Sequence, residues 1–201
     1  PGGGIGPPPY HYTFRRGDIG FLADTRRTNV ALTRARRHLF VVGDSATLSG
    51  HPFYARFIEL ASEINTNMPR YVVNRVMEAL NERGRALKGS KLLILGVAYK
   101  ADVDDVRESP ALDVIGLLQK KGAVVEYHDP FIQHIHHETD GWQMDSVQDL
   151  MSAVKCADAV VIITNHKVYD YEAIVEAAAF VFDSRNATRS VAIDHGNVVR
   201  L

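Results

Sequence analysis

Four short apolar runs, KLLILG (91–96), AVVEYHD (123–129), ADAVVIIT (157–164) and AFVFDS (179–184), recur along the second half of the chain with helical segments between them. Strand-length runs that alternate with helices bury both faces of a sheet when they pair in parallel under helical layers, so the spacing predicts a parallel α/β arrangement. The segment between the first two runs is the best marked: Ser109 can cap a helix, Pro110 suits its first turn, Leu112, Ile115 and Leu118 face inward, and Gly122 ends it.

Upstream, HPFYARFIELASEINT runs into MPRYVVNRVMEALNERGRAL. There Pro69 suits a first-turn position, and Val72, Val73, Val76, Met77 and Leu80 form an apolar stripe, which predicts a long connecting helix. Before it, Asp24 is an N-cap candidate for DTRRTNVALTRARR, and HLFVVGD (38–44) reads as a strand, giving a small partial α/β unit. The opening PGGGIGPPPYHY predicts a flexible arm over 1–12. The terminal VAIDHGNVVRL, with a His-Gly-Asn turn, reads as a terminal hairpin.

The first 64 residues carry eight Arg against five acids, and the remainder fifteen bases against nineteen acids, so the front is basic and the back acidic. One cysteine, Cys156, excludes an intramolecular disulfide and favours a reducing compartment. No apolar run reaches the roughly 18 residues of a membrane helix, so a soluble cytoplasmic protein without a membrane partner is expected.

The glycine that ends the first run, Gly96, invites a dinucleotide reading, but that fingerprint needs three glycines at fixed spacing, and here the chain continues Val97-Ala98-Tyr99-Lys100. What the loop offers instead is Lys100, a flexible point charge, and Arg107, a rigid fork, both suited to an anionic nucleotide ligand. The alternative is that Asp102, Asp104 and Asp105 simply neutralise these cations on a solvated loop.

NTNMPRYVVNRVMEALN, LLILGVAYKADVDDVRESPALDVIGLLQKKGAVVEYHDP, ADAVVIITNH and FVFDSRN together resemble the UDP-glucose/GDP-mannose dehydrogenase family over about residues 56–201, most of all its bacterial UDP-N-acetylglucosamine 6-dehydrogenases. The resemblance implies a Rossmann-like UDP-binding domain (88–201) after a dimerisation helix (56–87), hence a homodimer. It further implies a UDP-sugar contacted by Tyr99, Lys100 and Arg185, and an NAD cofactor, held by a different domain, touched by Arg107. The family oxidises a sugar C6 alcohol to a carboxylate, for polysaccharide biosynthesis, through a cysteine thiolate. Cys156, in VKCADAVV, lacks the glycine-rich surroundings of that nucleophile and reads as structural, so no catalytic residue is assigned and the chain is not expected to catalyse the reaction unaided.

RRGDIGFLADTRRTNVALTRARRHLFVVGD resembles the end of the second motor domain of DNA2/NAM7-type superfamily-one helicases, which sets 13–55 apart as a fragment. That resemblance implies an ATP contact at Arg34 and nucleic acid as the partner in this alternative reading, but no phosphate loop G-x-x-x-x-G-K-[ST] occurs. His134, His136 and His137 lie in a polar stretch with no evident fourth ligand, and read as solvated rather than metal-binding. Trp142 is expected to pack that stretch on the body. His166 matches the family's T-x-H position, implying a supporting role at the rim of the nucleotide site.

Overall fold

The computed structural model describes residues 23–34, 43–138, 140–192 and 196–201. The chain divides into two compact units, residues 1–66 and 67–201. In the first, helix α1 spans Thr25–Arg34, and Asp24 Oδ1 accepts the Arg26 amide at 3.2 Å. Helix α2 (Ser45–Leu48) is capped by Asp44, which accepts the amides of Ala46 and Thr47. The hydroxyls of Thr28 and Tyr54 are hydrogen bonded. The expected arm at 1–12, and nearly all of the expected strand at 38–44, lie outside the described residues.

Helix α3, Pro52–Glu82, contributes residues to both units. The long connecting helix was expected with Pro69 in a first turn, but Pro69 lies inside the single helix α3. Proline has no amide to donate to the carbonyl four residues back. Its pyrrolidine is buried, and the helix continues because the next turns bury Val72, Val73, Val76 and Leu80. Among the described residues no helix is long and apolar enough to cross a membrane.

The second unit follows the parallel α/β pattern. Strand β1 (Lys91–Leu95) leads through α4 (Pro110–Lys120) to β2 (Val124–His128). The pair β3 (His134–His136) and β4 (Gln143–Asp145) precedes α5 (Leu150–Cys156), β5 (Ala159–Ile162), α6 (Tyr171–Ala177), β6 (Val181–Asp183), a single 3-10 turn at Ala187–Ser190, and β7 (Val198–Arg200). The main sheet has the order β2-β1-β5-β6-β7, and every pairing in it is parallel.

Alternation along the strands divides the core. Leu92, Ile94, Ala159, Val161 and Phe182 face one layer, with α3 and α4; Leu93, Leu95, Val160, Ile162 and Val181 face the other, with α5 and α6. Each such burial of a Val, Leu, Ile or Phe contributes about 1.5–3 kcal/mol, against at most about 1 kcal/mol for an exposed ion pair such as Arg75–Glu78. Strand packing, not surface charge, therefore holds this unit. Helix α4 starts as its sequence implies, with Ser109 Oγ accepting the Ala111 amide at 3.3 Å and Pro110 in the first turn.

Two parts of the sheet go beyond expectation. Residues 193–195, where the expected hairpin would turn, lie outside the described residues, while the end of the terminal segment, β7, extends the sheet in parallel beside β6. Asn197 seats it, donating from Nδ2 to the carbonyls of Val175 and Ala178 at 2.9 Å each, while its own carbonyl accepts the Val181 amide at 2.8 Å. The polar histidine stretch, in turn, forms the small antiparallel pair β3–β4, with Ile135 its buried residue. Trp142 packs partly buried against the core and stacks on His137 at 5.1 Å.

Gly96 marks the tightest backbone approach. It has φ +78, and an added Cβ would overlap the Thr164 carbonyl oxygen and lie 2.7 Å from Thr164 Cβ. Gly84 has a similar φ of +69 with nothing within 4 Å. Gly96→Ala is therefore expected to lower unfolding stability by at least about 3 kcal/mol in urea denaturation, while Gly84→Ala costs only the left-handed backbone penalty of about 1–2 kcal/mol. Equal costs would show that the Thr164 contact yields freely.

Candidate functional site

Because the main strands are parallel, the loops that follow β1, β2, β5 and β6 all leave from one edge, the carboxyl edge where open α/β sheets bind ligands. Lys100 follows β1 and Arg185 follows β6, with β5 between them. Two interstrand spacings set their strand ends roughly 10 Å apart along this edge. The helix after β1 begins only at Pro110, so a long loop rather than a helix N-terminus occupies the strand end.

That loop is built from the inside out. Val97 and Ala98 are buried, and their amides donate to Asp129 Oδ2 at 2.7 and 3.0 Å. Tyr99 and Lys100 then emerge into solvent, the Lys100 ammonium 5.4 Å from the Tyr99 ring centroid, a cation–π distance. The Tyr99 amide closes the loop onto the Asp105 carbonyl at 2.7 Å.

Arg107 sits further along, its side chain 86% exposed and its fork bound to Asp105 through Nε at 3.0 Å and Nη2 at 2.9 Å. These bonds, with the Arg107 amide, hold the Asp105 carboxyl down at about 2. The neutralising role considered for the loop acids is thus realised at Asp105. Asp102 instead pairs with Lys167, whose amide and ammonium donate to it at 2.9 and 3.3 Å and lower its pKa.

Arg185 stands on a second pinned loop. The fully buried Asp183 at the end of β6 accepts the Arg185 amide at 2.9 Å and both the amide and hydroxyl of Thr188, at 2.8 and 2.7 Å. The Arg185 residue itself is exposed. Among the described residues the non-glycine positions with positive φ are Asp102, Glu108 and Asn186, all beside the candidate cations. Held left-handed backbone of this kind concentrates at functional loops.

Beneath the surface lies a group that sequence reasoning placed at the rim. His166 is fully buried, with Nε2 3.0 Å from Asp129 Oδ2 and Nδ1 accepting the Asp102 amide at 2.9 Å. Nearby, Tyr169 donates to the His128 carbonyl at 2.8 Å. Burial pushes the Tyr169 phenol well above its ordinary value and holds the His128 imidazole below its own. Asp129 and Asp183 were not singled out from sequence. The available signal was an apolar strand ending on an acid, since a carboxylate there must find donors in the next loop.

Other groups lie elsewhere. Cys156 ends α5 ahead of β5, at the opposite, amino edge, and is exposed rather than packed. A cavity of about 550 Å³ at that amino edge is lined by Met77, Arg85, Leu87, Lys88 and Lys121 among others. It touches none of the strained loops. His134 bonds Asp145 at 2.7 Å, and His136 is exposed. The Arg34 side chain lies outside what is described.

Residues 93–190 match the model of the UDP-glucose/GDP-mannose dehydrogenase family, UDP binding domain, and residues 12–46 match a model described as an AAA domain. A UDP-N-acetyl-D-mannosamine dehydrogenase of Methanococcus maripaludis is 35% identical over 115 residues, covering 57% of this chain and 25% of that protein. The UDP-glucose 6-dehydrogenase TuaD of Bacillus subtilis is 32% identical over 120 residues, covering 60% of this chain and 25% of that protein. The chain thus spans about a quarter of the length of these curated relatives. The solved UDP-N-acetyl-mannosamine dehydrogenase of Staphylococcus aureus superposes with a TM-score of 0.57 at 26% identity, over 88% of this chain and 41% of that one. A UDP-D-ManNAc dehydrogenase from Pyrococcus horikoshii shares the fold, with a TM-score of 0.58 at 24% identity over 85% of this chain and 41% of that one. Residues 93–190, whose strand-end loops carry the cations described above, are thus similar to the UDP binding domain of the UDP-glucose/GDP-mannose dehydrogenase family.

Proposed function

We propose that residues 88–201 are the UDP-sugar-binding portion of an NAD-dependent UDP-sugar 6-dehydrogenase. The observation that carries this reading is the placement of Lys100 and Arg185, each exposed on a pinned loop, at the same carboxyl edge. In it, Lys100 and Arg185 engage the diphosphate and Tyr99 contacts the ligand beside them. Arg107, at the outer end of the loop, contacts NAD held by another domain. The chain supplies binding and no nucleophile there, because Cys156 lies at the opposite edge. Residues 56–87 serve as the dimerisation helix, which exposes Leu60 and Ile64 one turn apart. Sedimentation of the chain as a monomer at high concentration would argue against that pairing.

Calorimetry with UDP tests the binding role. Hydrogen bonds to charged groups contribute about 1.5–3 kcal/mol each, so Lys100→Ala and Arg185→Ala are each expected to weaken binding by about 10- to 100-fold. Arg107→Ala should leave UDP affinity within about twofold, because the NAD contact is separate. Backbone shifts on adding UDP should cluster at 96–107 and near 185. Saturable binding that survives both the Lys100 and Arg185 variants would reject the reading.

The pair that holds Arg107 has its own pH signature. A depressed carboxyl contributes above its unfolded value of 3.8 and loses that contribution as pH falls through its folded value of about 2. Carbon NMR of the Asp105 carboxyl should therefore show a midpoint near 2, and Arg107→Ala should return it toward 3.8. A wild-type midpoint near 3.8 would mean that the guanidinium is free.

A further inference from the structure

We propose that His166 is the positioning residue of this site: a neutral imidazole, protonated on Nε2, that holds the Tyr99–Lys100 loop in shape from below. Nδ1 accepts the Asp102 amide at 2.9 Å, so it carries no proton. The proton then sits on Nε2 and is donated to Asp129 Oδ2 at 3.0 Å. That same oxygen accepts the Val97 and Ala98 amides, where the loop begins. One ring thereby ties the two ends of the segment 97–102, and Tyr99 and Lys100 project from between them.

Three further observations support this. Asp102 has φ 61, a backbone state that an aspartate keeps only when its surroundings impose it, and the imidazole is the acceptor for its amide. The chain on either side of His166 reinforces the tie: Thr164 Oγ1 donates to the Ala98 carbonyl at 2.7 Å, and the Lys167 amide donates to Asp102 Oδ1 at 2.9 Å. The ring is also walled from water, with Phe131 and Tyr169 at centroid distances of 5.0 and 5.8 Å and the Tyr171 hydroxyl bonded to the His166 carbonyl at 3.0 Å. Dry hydrogen bonds of this kind are costly to break and fix geometry. The imidazole touches no solvent-exposed surface, so it acts through the loop and not on a reacting atom.

The consequence for ligand affinity rests on the UDP-sugar reading; the consequence for loop order does not. The test uses the whole chain with His166→Phe, which keeps a ring and removes both bonds, and His166→Gln, which can restore an acceptor and a donor. Amide exchange at Asp102 is expected to rise at least tenfold in His166→Phe and to recover in part in His166→Gln. UDP affinity should follow the same order. Lys100→Ala should weaken UDP without altering exchange at Asp102. Unchanged exchange at Asp102 in His166→Phe, with β1 and β5 amides still protected, would overturn the proposal. If wild type binds no UDP, the ligand reading fails and the exchange result alone decides the role of His166. Should His166→Phe not fold, nitrogen NMR of the wild-type ring decides: Nδ1 must show the shift of an unprotonated ring nitrogen and Nε2 that of a protonated one, and the reverse tautomer overturns the proposal.

Discussion

The carboxylate of Asp129, at the end of β2, receives five N–H donors: the amides of Val97 and Ala98 and the His166 ring on one oxygen, and the amides of Phe131 and Ile132 on the other. It is fully buried, so each donor matters: a charge out of water is tolerated only when its lone pairs are filled. The five donors come from the loops after β1, β2 and β5. One acid therefore fixes the relative positions of three chain segments that share no sequence neighbourhood. Asp183 does the same on a smaller scale after β6, collecting Arg185 and Thr188.

The two aspartates divide labour with the exposed cations. The buried carboxylates fix the backbone, and Lys100, Arg107 and Arg185 are left on its outer surface. Lys100 has the Tyr99 ring as a neighbour, and Arg107 is held in a chelate with Asp105. Rigid loops limit how much ordering a ligand must impose when it binds, and that saving counts directly toward affinity.

Much of this architecture could be read in the residues, and the reasons are physical. The strands β1, β5 and β6 are buried on both faces and so read as largely apolar runs, the strongest signal a parallel strand gives, while the edge strand β2 alternates buried with more exposed residues. Helix α4 announces both its ends, through Ser109-Pro110 and Gly122. The strands β3, β4 and β7 have three residues each, too few to display a period of two, and β3 reads His-Ile-His with one apolar residue. Pro69 misled because its cost is local, while the burial that carries α3 through it is tertiary. At the site, the cations were legible because they sit in one contiguous motif. The tie between positions 102, 129 and 166 was not, since it joins residues far apart in the chain and depends on a ring tautomer.

The absence of a glycine-rich turn after β1 has an energetic consequence. A dinucleotide cradle supplies its positive potential from backbone amides at a helix N-terminus, already fixed in place. Here the first three loop amides point inward, Gly96 to the His128 carbonyl and Val97 and Ala98 to Asp129, and are spent on the fold. An anion at this edge is therefore met by the side-chain cations Lys100 and Arg185 rather than by these amides. Two unit charges 4 Å apart attract by about 1 kcal/mol in open water and about 4 kcal/mol at the lower dielectric of a partly covered surface. Exposed cations such as Lys100 and Arg185 thus become strong ligand contacts only when the ligand, or whatever covers this edge, displaces water from them. Affinity then depends on whether the loops hold the charges still while that happens, which is the task of Asp129, Asp183 and His166 beneath them.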